Sequence, residues 1–259
     1  MATSISLGRR PLAHYDVGRV PLAQPFVWLR QGFDDLRYCG WPSLAHGLLV
    51  FTAGVVLLAV GSAHLYFVVA AVTGYLLVGP VMTTGLCELS RRRAAGEPLG
   101  FDESLGAFSR NPAPFAQFGA VLAAIALTWL IASEVAFGTL LAGPGPGLNW
   151  SILMWGSFTG ALSGSELLAY IGSGAVLALI VFVLAVVAVP IIVDRGATVM
   201  DAMWAGVKAV RSNLPAMALW AALIAALTAL GFATSLFGMI IIVPVLGHAT
   251  WHAYRDLVH

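Results

Sequence analysis

The feature that most restricts this sequence is a set of long apolar runs, near residues 43–61, 65–86, 115–137, 173–193, 216–232 and 236–253, that contain no Lys, Arg or Asp. A bilayer core takes about 20 apolar residues per crossing helix, so each run is close to one membrane thickness. Inside hydrocarbon every backbone N–H and C=O must be satisfied within the segment itself, which leaves the α-helix as the spanning structure for runs of this length. Composition agrees: 59% of residues are hydrophobic and only 10% are charged, against about a quarter charged in an ordinary soluble domain. The expectation is an all-α, polytopic membrane protein with six transmembrane helices.

With six spans, all thirteen Lys and Arg residues fall on one side. Basic residues mark the cytoplasmic face, so both termini are expected there. Residues 1–25 hold Arg9, Arg10, Arg19, Pro11, Pro21 and Pro25 without an apolar stretch, and read as a disordered cytoplasmic tail rather than a cleavable signal. Residues 26–259 then form a single transmembrane domain. A net charge of +1 excludes nucleic acid as a partner, because no basic patch exists to neutralise phosphates. Cys39 and Cys87 form neither a disulfide framework nor a CxxC site. The outer segment 143–171 interleaves Trp150, Trp155 and Tyr170 with Gly, Ser and Leu, which suits either an interfacial segment or a loop.

The chain divides into three similar units, each an amphipathic cytoplasmic stretch, a Pro at the start of an inbound span, and a second Pro in the returning span. The first unit runs from Trp28 through Arg37 and Pro42 to Pro80, and the second from Phe101 through Arg110-Asn111-Pro112 to Pro190. The third runs from Met200 through Arg211 and Pro215 to Pro244. The inbound Pro occupies a helix start, where its missing N–H costs little. Pro80, Pro190 and Pro244 each remove a hydrogen bond within a span, so kinks are expected there. Phe26, Leu29, Phe33 and Leu36, like Met200, Met203, Val207 and Val210, recur near helical spacing. These stretches should lie on the inner leaflet as interfacial helices anchored by Trp28 and Trp204. Gly47, Gly54, Gly61, Gly74, Gly172 and Gly174 offer sites of close helix approach.

Candidate chemistry gathers near the cytoplasmic leaflet. His248 and His252 stand four apart, so on a helix their imidazoles share one face at a spacing that can clasp a metal. His46, Cys87 or Glu88 could supply a third ligand for zinc, copper or haem iron. The alternative is that both histidines, with Trp251, Tyr254 and Arg255, anchor the last helix in the headgroups. Glu88 precedes Arg91 and Arg92 at ion-pair spacing, and Arg91, Arg92 and Arg93 could hold anionic lipid. Glu134 lies about 29 Å into the third span, and with Glu88 it is a candidate for proton or substrate handling. No nucleophile-base-acid set, GxSxG elbow, P-loop or HExxH occurs.

The runs LLVGPV with GLCELSRR at 76–92, Arg110-Asn111-Pro112, and PVLGHATWHAYRDL at 244–257 resemble a bacterial family of predicted integral membrane proteins with no assigned function. The resemblance implies a multi-pass protein of a bacterial inner membrane and carries no functional residues. Three functions follow as expectations. The first is a non-enzymatic accessory or structural subunit, in contact with membrane lipid and other membrane subunits and holding no cofactor. The others are a small-molecule or ion transporter, and a metal- or haem-binding membrane protein.

Overall fold

The structure, a computed structural model, describes residues 15–61, 79, 82–141 and 164–259. Helices α1 (Gln24–Cys39) and α2 (Trp41–Gly61) meet at Gly40, and α3 covers 82–95. Then come α4 (Phe101–Arg110), α5 (Pro112–Leu141), α6 (Gly164–Ala185), α7 (Ala188–Arg195), α8 (Val199–Ser212), α9 (Leu214–Ala233) and α10 (Met239–Leu257). Among the described residues the only extended pairing is a single antiparallel bridge between Val17 and Val258.

The all-helical expectation holds. Among the described residues, three helical stretches are long and apolar enough to cross a membrane: Pro112–Trp129, Gly172–Arg195 and Leu214–Ala233. A fourth span is added if α1 and α2, bent by 107° at Gly40, are taken as one broken span. Most of the run expected at 65–86, including Gly74 and Pro80, lies outside the described residues, as do Trp150 and Trp155. The expected run at 236–253 is instead a helix from Met239 to Leu257 whose second half holds His248, His252, Arg255 and Asp256. These polar residues lower its hydropathy, and protein rather than lipid buries much of that half.

Each amphipathic helix passes into an apolar one at a local break. Gly40, at φ 62°, supplies the first turn, and Asn111 and Asn213 cap the ends of α4 and α8. The span expected at 173–193 is broken at Val186 and Val187. Pro190 explains the position, because it lacks the N–H that would bond the carbonyl four residues earlier. Helix α10 runs on through Pro244 without such a break.

The principal core joins α5 through α10 around Phe118, Ile191, Ile192, Trp220 and Tyr254. Helix α1 packs along α10, burying Trp28, Gly32, Leu36 and Cys39 at helical spacing. Trp28 is therefore not the interfacial anchor expected: it is fully buried, edge-on to Trp220 at 5.7 Å, and its Nε1 donates to Asp256 at 2.8 Å. Trp204 is exposed. Of the tail expected over 1–25, residues 1–14 lie outside the described residues, while Val17 to Val20 run beside the C-terminus. Gly18 donates to the Leu257 carbonyl at 3.0 Å, and Asn213 bonds both Val20 and Gly18.

Candidate functional site: a buried polar junction

The junction forms where α1, α2, α3 and α10 meet. Asp35 projects from the buried face of α1, one turn from Gly32 and Cys39. Gly32 permits the approach, since a Cβ there would overlap the backbone of Val245 and Ala249 on α10. The Asp35 carboxylate accepts from the Ser90 hydroxyl and the Arg93 guanidinium of α3, and contacts His252 Nε2 at 3.1 Å.

His248 sits at the centre and is wholly buried. Its Nδ1 lies 2.7 Å from Ser90 Oγ, and its Nε2 lies 2.8 Å from Ser43 Oγ. The single Ser90 proton goes to Asp35, so Ser90 must accept from His248 Nδ1–H. That fixes the tautomer: Nε2 is left as the acceptor for the Ser43 hydroxyl. The result is a continuous relay, Ser43 to His248 to Ser90 to Asp35, with His252 on the outer end. Hydroxyls and imidazole this deep would each cost free energy if unpaired, so the relay specifies how the four helices dock.

A second centre lies two residues before Ser90 on α3. Glu88, also fully buried, receives Arg91 at 2.9 Å, Arg92 at 2.8 Å and Arg110 of α4 at 2.6 Å. Arg91 also binds Glu97 at 2.8 Å. Burial pushes the Glu88 carboxyl upward, but hydrogen bonds from Arg91, Arg110 and Arg92 outweigh it and hold the group at about 2. Glu88 is thus a fixed anion that ties α3 to α4. The arginines expected to face lipid are turned inward onto carboxylates, with Arg93 on Asp35 and stacked over Tyr38 at 4.4 Å.

The sequence-derived candidates separate. His248 and His252 share a face, as the spacing predicted, yet each turns a ring nitrogen to a different partner. His46 donates from Nδ1 to the Pro42 carbonyl of its own helix at 2.9 Å, and its Nε2 meets Ser104 Oγ of α4 at 3.2 Å. Among the described residues no three His, Cys, Asp or Glu side chains converge to hold a metal ion. Cys87 is buried and donates weakly to the Gly247 carbonyl at 3.6 Å. Glu134 falls within α5, and its side chain lies outside the described residues.

Asp35, Ser43 and Ser90 are the members that sequence reading missed. Asp35 had a legible signal, a lone carboxylate on the Trp28, Gly32, Leu36, Cys39 face of α1. The two serines had none.

No curated protein and no solved structure matches the chain. The motifs at 76–92 and 110–112 lie within a stretch that does match a family, whereas the 244–257 motif lies beyond it. Over residues 67–194 the chain matches the family described as "Predicted integral membrane protein (DUF2189)", so the resemblance read from its motifs is to an integral membrane family of unknown function.

Proposed function

We propose that this protein is a non-enzymatic structural or accessory subunit of a bacterial inner membrane, with both termini cytoplasmic and six spans arranged as three helical hairpins, each led by an amphipathic helix. One observation carries the reading: the ionisable groups of the buried junction are committed to neighbouring helices. His248 has both ring nitrogens engaged, Glu88 is held by three arginines, and Asp35 by Ser90, Arg93 and His252. Groups so engaged fix helix positions and leave little to offer a substrate.

Exposed apolar side chains include Leu127, Ile131 and Val135 on α5 and Val176, Leu179 and Ile180 on α6, away from the junction. Such faces suit lipid and other membrane subunits. In-cell crosslinking followed by mass spectrometry tests the proposal. A reproducible membrane-protein partner crosslinked through α5 or α6 is expected. Solute or proton flux through the purified protein in vesicles, without any such partner, would overturn it.

A further inference from the structure

The outward side of α1 carries a pattern separate from the junction. Phe26, Arg30, Phe33 and Arg37 follow one another at spacings of four, three and four, which places them on one helical stripe opposite Trp28, Gly32 and Cys39. All four are exposed, Phe26 by 56% and Phe33 by 46%. Phenyl ring and guanidinium alternate along the helix, and the Arg37 guanidinium lies 6.0 Å from the Phe33 ring centre. Among the described residues, Arg30 and Arg37 have no ion-pair partner, in contrast to Arg91, Arg92, Arg93 and Arg110. Asp34 is the one carboxylate beside the stripe, and it is exposed and paired with neither arginine.

We propose that this stripe seats anionic phospholipid of the leaflet on which α1 lies. The inference rests on the membrane reading of α2: the 107° bend at Gly40 turns α1 away from the α2 axis and toward the bilayer plane. At that level the phenyl rings enter the acyl boundary, while the guanidiniums meet lipid phosphates in the two-pronged geometry that suits arginine. Trp41 and Tyr38, both exposed at the bend, extend the aromatic edge at headgroup depth. Charge complementarity selects the occupant, because a neutral protein groove would cover the rings and leave two cations unpaired.

The test uses the full-length purified protein, delipidated in detergent and titrated with phosphatidylglycerol or phosphatidylcholine under native mass spectrometry. The wild type is expected to retain phosphatidylglycerol in preference. R30Q/R37Q is expected to lose that preference by about fivefold per arginine, the equivalent of one basic residue at an anionic surface. R30K/R37K should keep part of it, and R211Q on α8 should leave it unchanged. Equal retention of the two lipids by the wild type, or undiminished phosphatidylglycerol retention by R30Q/R37Q with the same melting temperature, would overturn the proposal. Loss of a co-purifying protein from R30Q/R37Q with lipid retention intact would also overturn it. The readout concerns the isolated chain, so failure of the accessory-subunit reading would leave this result standing.

Discussion

Gly47 of α2 lies directly against the carbonyl of Ile240 on α10, so close that a Cβ at Gly47 would overlap it. That carbonyl is the one deprived of its helical N–H by Pro244, four residues later. The proline and the glycine thus form one device, in which a freed carbonyl is covered by a backbone with no side chain in the way. Gly47→Ala should push α2 from α10 and cost about 1 to 3 kcal/mol, read as a lower melting temperature in detergent. An unchanged melting temperature would show that the two backbones are not in contact.

His248→Ala should be more damaging than its size suggests, because it leaves Ser43 and Ser90 without their shared partner in a closed site. The cavity and the Ser43 hydroxyl deprived of its imidazole acceptor predict a loss of about 2 to 4 kcal/mol by denaturant unfolding. Adding Ser43→Ala should recover part of that loss. If the double variant is no more stable than the sum of the single ones, the relay is not coupled.

Glu88 makes stability depend on acid in a defined direction. Its carboxyl sits at about 2 in the folded protein against an ordinary 4.5. The contribution is therefore fully present above about 4.5 and is lost as pH falls toward about 2. Melting temperature measured from pH 6 to pH 2 should fall more steeply in the wild type than in Glu88→Gln, and the two curves should converge at the acid end. Parallel curves would mean that Glu88 is not the buried anion at the α3–α4 contact.

Asn213 clasps the N-terminal segment, accepting from Val20 N–H at 2.9 Å and donating to the Gly18 carbonyl at 2.9 Å. Arg19, between those two contacts, is exposed and is a trypsin site. Asn213→Ala should accelerate cleavage after Arg19 by about tenfold, since two hydrogen bonds are worth roughly 1 to 2 kcal/mol of closure. A time course of N-terminal truncation by mass spectrometry reads this directly, and equal rates would show that the clasp contributes nothing.

The sequence by itself located several of the apolar helices and their starts, though α6 begins at Gly164, nine residues before the span expected from 173. The starts of α2, α5 and α9 fell within about three residues of the expected spans, because a run of about 20 apolar residues needs no knowledge of its neighbours to be recognised. Capping is equally local, and Asn111 and Asn213 stand at the breaks that Pro112 and Pro215 announce. The pairing of polar groups is not local. Asp35, Ser43, Ser90 and His248 are drawn from four helices, and their partnership exists only once Gly32 and Gly47 let α1 and α2 settle on α10. The same packing turned Trp28 inward and left Phe26 and Phe33 outward, although all three share one amphipathic helix. Hydrophobicity shows that a face will leave water; whether lipid or another helix receives it is decided by tertiary packing.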